Sequence, residues 1–438
     1  MEDLKAKTSP ESAATKAKKE VIEEVKPRSD RHIWGVIIFL LLVSVISLYS
    51  ASSREVASSA NVYGPILRHG GMLLAGLVIM IVLERVHYRF FKPVIPIFAA
   101  ASVVMMVYVL IAGDIINGAR RSFTFLGVMI QPAEFLKMSS VLVIALIMSR
   151  MQEPNGVKTK GVLWSALSVI LFSGLLFTQG LTNTILLMAI SLSMMMIGGV
   201  QFKKLALVLV AYAVIGGAAL GYKMLSSESR AAEAAAGTQV EKLDRSTTWQ
   251  ARVERFIGDG KPKYEQDITP ENRQEMYSYF AQANGGIFGQ FPGNSREASR
   301  LPLAFSDYIY AIIIEETGMF GGLALIVVYM WLLTRSGRIA GRCRKSFPAL
   351  LVLGLAVMIV FQALFHMGIV TGVFPVSGQP LPLISKGGSS ILVTSIAFGM
   401  MLSVSRYGMQ SRPKTKKKKK FSLFITSNED DGENLAKL

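Results

Sequence analysis

Ten long apolar runs, separated by short clusters of charged residues, dominate the sequence. Each run is close to the ~20 residues that a helix needs to cross the hydrocarbon of a bilayer. The runs lie at 33–51, 68–84, 93–113, 133–151, 161–178, 183–200, 204–224, 308–334, 347–373 and 389–405. Of 438 residues, 51% are hydrophobic and only 18% are charged. The sequence therefore predicts an all-α polytopic membrane protein with about ten transmembrane helices.

The distribution of Lys and Arg orients these helices. If the N-terminus is cytoplasmic, the inner connections hold Arg85, Arg89, Lys92, Arg150, Lys158, Lys160, Lys203, Lys204, Arg335, Arg338, Arg342, Arg344 and Lys345. The short outer connections hold only Arg54, Arg120, Arg121 and Lys386. Because positive residues collect on the cytoplasmic side of membrane proteins, this asymmetry predicts that both termini are cytoplasmic.

The chain divides into a transmembrane domain and two polar extensions. Residues 1–31 are predicted to be a disordered cytoplasmic extension, and the first apolar run, too long for the core of a cleavable signal peptide, is expected to be a signal anchor. Residues 32–405 form the predicted transmembrane domain, and 406–438 a basic cytoplasmic tail. One large extracytoplasmic loop, 225–305, joins spans 7 and 8 and includes a possible interfacial helix at 247–256.

The net charge of +17 comes largely from the inner clusters and from the basic tail. Such a tail either lies against anionic lipid of the inner leaflet or serves only as a stop-transfer and solubility signal. No aromatic residues are interleaved with its lysines, so no nucleic-acid partner is expected. The single cysteine, Cys343, excludes an internal disulfide.

Ionisable residues open the predicted fourth span, in Gln131-Pro-Ala-Glu-Phe-Leu-Lys137. Pro132 is tolerated in the first turn of a helix, and Glu134 and Lys137 are three residues apart on one face. Because buried charges in a membrane are costly unless they pair or face water, two interpretations stand. Either the two residues form a local ion pair, or they line a polar cavity.

A second polar set leads from the long loop into the eighth span. Asp307 lies where water meets the bilayer, which suits a general base that a bound substrate would desolvate. The alternative is that Ser306 or Asp307 simply caps the helix. Glu315 and Glu316 lie two turns deeper, where a carboxylate indicates either a functional site or a structural ion pair.

The third set lies between the ninth and tenth spans, at 374–390. Three prolines and three glycines within fifteen residues exclude a regular helix, so we predict an irregular apolar loop folded back against the protein. Backbone amides of Gly387 and Gly388, at the start of the tenth helix, could seat an anion. The alternative is a re-entrant plug with a structural role only.

These three sets, in this order, resemble the SEDS family of bacterial membrane proteins (FtsW, RodA and SpoVE). The family's Gln-Pro-(Ser/Ala)-Glu-Phe-x-Lys is matched at 131–137, and its Gly-Asn-Ser at 293–295. Its Asp-Phe-Ile corresponds to Asp307-Tyr-Ile309. Its Pro-Val-(Thr/Ser)-Gly-x-Pro-Leu-Pro-x-Ile-Ser-x-Gly-Gly-Ser-Ser is matched almost completely at 375–390, and this motif is highly specific. The resemblance covers about 33–405.

The resemblance implies a peptidoglycan glycosyltransferase that joins lipid II units into glycan strands and releases undecaprenyl diphosphate. Asp307 corresponds to the family's catalytic aspartate. The residues expected to bind substrate are Arg121, Gln131, Glu134, Lys137, Arg252, Ser295, Glu316, Ser377, Gly378, Ser385, Gly387, Gly388 and Ser389. The chemistry agrees with these residue types, because sugar transfer from a diphosphate needs a carboxylate base and cations near the leaving oxygens.

The resemblance also implies partners and a location. A divalent cation, Mg²⁺ or Mn²⁺, is expected as cofactor, with unknown ligands. The expected partners are a class B penicillin-binding transpeptidase, other division proteins, lipid II and the membrane itself. The expected location is the bacterial inner membrane, at the division septum, because the charged N-terminal extension and long basic tail favour the division-type FtsW. The alternatives are an elongation-type RodA polymerase and a lipid II flippase.

The chain departs from the family pattern at a few positions. Ser122 replaces the Trp that usually follows the family's Arg, and His366 replaces an Asn in the ninth span. The usual Gln-Pro-Asp-Leu-Gly-Thr is here Gln179-Gly-Leu-Thr-Asn-Thr184, so Leu181 stands where the family has an acid.

Overall fold

The computed structural model confirms a polytopic helical fold. It describes residues 28–51, 63–116, 119–125, 128–154, 156–235, 256, 266–270, 272–301 and 304–408. The helices are α1 (Arg31–Ala51), α2 (Tyr63–Arg85), α3 (Phe91–Ala112), α4 (Pro132–Arg150), α5 (Thr159–Phe177), α6 (Leu181–Ile197), α7 (Phe202–Ala235), α8 (Arg273–Gly285), α9 (Ile309–Ala340), α10 (Ser346–Val370) and α11 (Gly388–Tyr407). A short 3₁₀ turn, Tyr88–Phe90, leads into α3.

Each of the ten predicted apolar runs falls on one of these helices. Within the described residues, eight helices are long and apolar enough to cross a membrane, namely α1 to α5 and α9 to α11. The sixth run is the shorter apolar helix α6, of 17 residues. The seventh lies within α7, whose 34 residues extend beyond the predicted end at 224.

Helices α4, α10 and α11 form the centre of the bundle. In their most apolar stretches 78%, 78% and 83% of residues are buried, compared with 22–44% in the other five long spans. Small residues allow α11 to lie close to α2, since a side chain at Gly399 would approach Leu83 to 2.7 Å. The peripheral helices leave large apolar side chains exposed, as a lipid-facing surface requires.

A buried ion pair links the start of the first span to the end of α9 on one face of the bundle. The Asp30 carboxylate accepts from Nε of Arg335 at 2.9 Å and from Nη2 at 2.5 Å, which ties the start of α1 to α9. The Asp30 backbone amide donates to Oγ of Ser405, at the end of α11, at 3.1 Å. The start of the first span and the end of the last are therefore on the same side, as the prediction of two cytoplasmic termini requires.

Asp30 also caps α1, because its Oδ1 accepts from the amides of His32 and Ile33. This residue belongs to the extension predicted at 1–31, of which residues 1–27 lie outside the described residues. The tail from 409 onward and most of the predicted interfacial helix at 247–256 also lie outside them.

Short strands on the connections were not predicted. Between α3 and α4, β1 (Asp114–Ile116), β2 (Ala119–Phe125) and β3 (Val128–Ile130) form an antiparallel sheet. Between α4 and α5, β4 (Gln152–Glu153) pairs with β5 (Gly156–Val157). In the long loop, α8 packs against α9, and Gln282 on α8 donates to the carbonyl of Val370 at the end of α10 at 2.8 Å.

Helix α9 is interrupted at Gly318, which has φ +70°. The segment that follows α8 runs beside this break and bonds to its backbone. The amides of Gln290 and Phe291 donate to the carbonyls of Glu315 and Glu316, each at 2.9 Å, and the amide of Met319 donates to the carbonyl of Gly286 at 3.0 Å. The groups freed by the break are thus satisfied within the protein, as a membrane helix requires.

Candidate active site

The segment between α10 and α11, residues 371–387, contains no helix or strand and folds back into the bundle, as predicted. We refer to it as the α10–α11 loop. Leu381, Leu383 and Ile384 are almost fully buried. Tyr329 Oη donates to the carbonyl of Pro382 at 2.7 Å, and Ser44 Oγ donates to that of Ile384 at 3.1 Å. Side chains from α9 and α1 therefore hold the loop in place.

Asp307 lies in the turn that enters α9 and is half-buried. Its Oδ1 accepts a hydrogen bond from Ser306 Oγ at 2.8 Å. The cap position of α9 belongs to the next residue, Tyr308, whose side chain makes no capping bond. Neither Ser306 nor Asp307 occupies the cap position, so the structure does not support the alternative that one of them is the helix cap.

The α10–α11 loop closes around Asp307 from two directions. Ser385 Oγ donates to the carbonyl of Ser306 at 2.7 Å, and the amide of Lys386 donates to that of Phe305 at 2.9 Å. From the other side, a Cβ added at Gly378 would lie 2.8 Å from Asp307 Oδ2. Asp307, from the second polar set, is therefore brought together with Gly378 and Ser385, from the third.

Lys386 is a cation of this site that was not among the residues predicted to bind substrate. Its ammonium lies 4.5 Å from the centre of the Phe305 ring, two residues before Asp307. Its neighbour Gly387 is the cap residue of α11, which begins at Gly388. The position of Lys386, between the predicted Ser385 and Gly387, was the signal that could have identified it.

A buried polar network supports the inner side of the loop. Lys137 Nζ donates to Glu134 Oε1 at 2.8 Å and to Gln379 Oε1 at 3.3 Å. The amide of Gln362 donates to Glu134 Oε2 at 3.1 Å and to the carbonyl of Pro380 at 3.4 Å. Glu134 and Lys137 thus form the local ion pair considered above, and they are enclosed, so a role in binding substrate stays a prediction.

Gln379 is the centre of this network and was not among the predicted site residues. Its side-chain amide donates to Asn183 Oδ1 at 2.8 Å, and its carbonyl lies 2.6 Å from His366 Nδ1. Helices α4, α6 and α10 therefore all bond to one residue next to Gly378. Asn183 and His366 lie at departures from the family pattern, which was the available signal.

The predicted residues Ser295 and Glu316 lie in a separate cluster. The Ser295 hydroxyl donates to Glu315, which also accepts from the amide of Arg296 at 3.0 Å. Glu316 Oε1 accepts from the amide of Gly293 at 2.9 Å. These contacts fasten the loop at 293–297 to α9. Substrate binding by Ser295 or Glu316 remains a prediction.

One carboxylate of this cluster lies outside the membrane-spanning helices. Burial raises the pKa of Glu297, and the repulsion of Glu315 adds to this, whereas the charge of Arg300 lowers it. Arg300 Nη1 lies 3.4 Å from Glu297 Oε1. Glu297 and Glu315 are therefore close enough to repel each other, and this cluster is separate from the turn that holds Asp307.

The remaining predicted residues are distributed around the site. Gln131 occupies the cap position of α4, with Pro132 in the first turn as expected. Ser377 accepts through its carbonyl from the amide of Gln379 at 2.9 Å, and Ser389 is buried in the first turn of α11. Arg121 is half-buried on β2. Arg252 lies outside the described residues.

The expected divalent cation can be tested against the residues present. Across the described part of the chain, no three His, Cys, Asp or Glu side chains come together as a metal site. A cation held entirely by such side chains therefore does not fit these residues. Because Mg²⁺ is commonly held by one or two carboxylates plus substrate phosphates, Asp307 is the residue here that would hold such a cation, which would supply positive charge to a diphosphate.

Comparison with known proteins decides the family. Residues 30–410 match the FtsW/RodA/SpoVE family profile, described as cell cycle proteins. This chain belongs to the FtsW/RodA/SpoVE family. The match spans the whole helical bundle, including Asp307 and the α10–α11 loop, so the resemblance drawn from three motifs is confirmed. With its apolar helices, the chain is a multi-pass bacterial membrane protein.

Similar relatives carry the names FtsW and MrdB. The chain is 28% identical over 393 residues to a probable peptidoglycan glycosyltransferase FtsW of Trichlorobacter lovleyi, covering 87% of this chain and 94% of the relative. It is 28% identical over 387 residues to the probable FtsW of Bacillus subtilis, covering 86% and 89%. It is 27% identical over 375 residues to the peptidoglycan glycosyltransferase MrdB of Escherichia coli, covering 84% and 91%.

Solved structures share the fold. RodA of Thermus thermophilus superposes with a TM-score of 0.58 at 21% identity, covering 87% of this chain and 98% of that one. A chain from a peptidoglycan synthase complex superposes with a TM-score of 0.64 at 22% identity, covering 87% and 99%. The family fold is therefore present from the start of α1 to the end of α11.

Proposed function

We propose that this protein is a peptidoglycan glycosyltransferase that polymerises glycan strands from lipid II and releases undecaprenyl diphosphate. The observation that carries the proposal is the Asp307 carboxylate, half-buried at the end of a membrane helix and in close contact with Gly378 of the α10–α11 loop. Relatives of similar length carry the same activity in their names.

In the proposed reaction, Asp307 accepts the proton of an acceptor sugar hydroxyl as that oxygen attacks the anomeric carbon of the donor. The new glycosidic C–O bond forms while the bond to the diphosphate oxygen breaks, and the diphosphate leaves with its polyprenyl chain. One carboxylate base and no second carboxylate nucleophile at this turn suit direct displacement with inversion. The Ser306 hydroxyl donates to Asp307 Oδ1 and so helps to orient the carboxylate.

The leaving diphosphate needs positive charge near its oxygens. Lys386 is a candidate, because its backbone is fixed to Phe305 and its ammonium lies over the Phe305 ring. The amides at the start of α11, beginning at Gly388, add the positive end of a helix. A divalent cation held by Asp307 would supply further positive charge for the leaving group.

The deciding experiment measures glycan strands made from labelled lipid II by the purified full-length protein with its transpeptidase partner. Asp307→Ala and Asp307→Asn are expected to abolish polymerisation, because the base is removed. Asp114→Asn is the matched control, since Asp114 is an exposed carboxylate on β1. If Asp307→Ala polymerises as fast as wild type, the catalytic assignment is wrong. Lipid translocation in vesicles that persists in this variant would instead support the flippase alternative.

We also propose the partner and the place of action. The expected partner is a class B penicillin-binding transpeptidase that crosslinks the strands, together with other division proteins at the septum. A neighbour in the fold comparison comes from a complex that coordinates polymerization and crosslinking, which supports a partner of this kind. A fluorescent fusion should collect at midcell; a dispersed side-wall signal would favour the elongation role.

A further inference from the structure

A basic groove opens on the face of the bundle where α1 begins and α11 ends, far from Asp307. It lies between the start of α1 and the ends of α2 and α11 and has a free volume of about 420 Å³. Its charged lining consists of Arg28, Arg31, Glu84 and Arg406, and Trp34 and Ile38 form its apolar wall.

The charges in this groove do not balance. Glu84 is the one acidic side chain among the lining residues, and its Oε1 lies 3.4 Å from Arg406 Nη1. Arg28 and Arg31 are exposed, and the nearby Asp30 is occupied by Arg335. Three guanidinium groups therefore face one carboxylate, which leaves an excess of two positive charges.

Arg406 is held as a binding residue would be. Its Nε is buried and has no hydrogen-bond partner within the described part of the chain. Its guanidinium also lies 5.4 Å from the centre of the Tyr407 ring. The Arg406 side chain as a whole is 28% exposed and lines the groove, so its guanidinium can donate to an oxygen acceptor there.

The groove has the amphipathic layout of a lipid site. Trp34 donates from Nε1 to Ser29 Oγ at 3.1 Å, as an interfacial tryptophan does with a polar neighbour. Ile38 and Leu42, one turn apart on α1, are exposed at 53% and 58%. Ile38 lies about 10 Å below Arg31 along the helix. A molecule with a phosphate at the arginines would have its acyl chain beside these side chains.

We infer that this groove binds the phosphate of an anionic phospholipid from the leaflet on the side of the chain ends. Arginine clusters between membrane helices recognise such headgroups through bidentate, charge-assisted bonds to phosphate oxygens. The apolar wall below the arginines favours a membrane lipid over a soluble phosphate, which would gain nothing from it. The site is independent of the proposed polymerase reaction, because none of its residues lies near Asp307.

Native mass spectrometry of the full-length protein tests this inference. The protein in detergent is mixed with increasing amounts of phosphatidylglycerol or of phosphatidylcholine with identical acyl chains. The lipid that stays bound when the detergent is removed in the spectrometer is then measured. Wild type should retain phosphatidylglycerol in preference. Arg28→Gln/Arg31→Gln should weaken that retention roughly 10- to 30-fold, since each arginine near anionic lipid contributes on the order of a fivefold change in affinity. Arg28→Lys/Arg31→Lys, which keeps both charges, should retain more lipid than the glutamine variant.

The matched control is Arg338→Gln/Arg342→Gln, which removes the same charge from exposed positions on the same face but outside the groove. It should bind as wild type does, and the basic tail is present in both variants. Equal loss in the two double variants, or equal retention of the two lipids by wild type, would overturn the inference. Displacement of phosphatidylglycerol by excess inorganic phosphate would also overturn it and indicate a soluble anion as ligand.

Discussion

Gly378→Ala tests whether the contact between the α10–α11 loop and Asp307 belongs to the working site. The added methyl carbon would lie 2.8 Å from Oδ2 and 3.4 Å from Cγ of Asp307. An ordinary contact needs at least 3.4 Å, so the carboxylate oxygen must withdraw by about 0.6 Å. Gly378 is exposed, so the substitution does not overfill the core.

A displacement of this size should act on the reaction rather than on folding. A misplacement of ~1 Å in a catalytic group can lower the rate about 100-fold, so a shift of roughly half that distance should lower it about 10-fold. This corresponds to about 1.4 kcal/mol of transition-state stabilisation. The assay is the initial rate of strand synthesis from labelled lipid II, measured with a thermal melt of each protein.

Gly174→Ala is the control for this experiment. Gly174 is an exposed residue of α5 with no atom near the position of an added Cβ. Alanine should be accepted there, since it favours a helix over glycine by ~1 kcal/mol. A wild-type rate in Gly378→Ala would refute the argument that Gly378 fixes the position of the base. A slow Gly378→Ala with a lowered melting temperature would mean that the loop, not the carboxylate, was damaged.

Four further outcomes are expected. Arg335→Gln leaves Asp30 buried without its partner and should cost about 3–5 kcal/mol of stability, seen as a lowered melting temperature; an unchanged melt would contradict the buried pair. Although burial raises the pKa of Asp30, its hydrogen bonds and Arg335 hold it below the usual 3.8, so this stabilisation is present above pH 3.8 and is lost as the pH falls through the lower folded pKa. Melting of wild type should therefore worsen under acid more steeply than that of Asp30→Asn, and parallel curves would exclude Asp30 as the cause. Gly318→Ala forces a side chain onto the carbonyl of Ile287 at φ +70° and should destabilise the protein by roughly 2–4 kcal/mol, whereas a normal melt would mean that α9 can close its break. A chelator should stop strand synthesis and added Mg²⁺ or Mn²⁺ restore it, and full activity in chelator would rule out the proposed cation.

The membrane helices could be predicted from the sequence because hydropathy is a local property. The runs predicted at 93–113 and 389–405 correspond to Phe91–Ala112 and Gly388–Tyr407, and the largest difference is the C-terminal extension of α7. The irregular α10–α11 loop was predictable for the same reason, because Pro and Gly act on their own backbone. The Lys and Arg content of the connections also predicted that α1 begins and α11 ends on the same face.

The connections between helices could not be predicted in the same way. Strands β1 to β3 are short, and their pairing depends on contacts between segments with no long alternating pattern. Helix α8 has few apolar residues and is held by packing on α9. The predicted interfacial helix at 247–256 was chosen by periodicity, and most of it lies outside the described residues, so it stays a prediction.

The polar residues show the same division between local chemistry and tertiary contact. Asp307 could be selected because it lies at the edge of a span, where a carboxylate suits a general base, and because it corresponds to the family's catalytic aspartate. Gln379 could not, since its importance comes from Lys137, Asn183 and His366, which approach it from three helices. Two of these three lie where the chain departs from the family pattern, and both still bond to the residue beside Gly378. The departures therefore leave the α10–α11 loop anchored, and the loop keeps its contact with the Asp307 carboxylate.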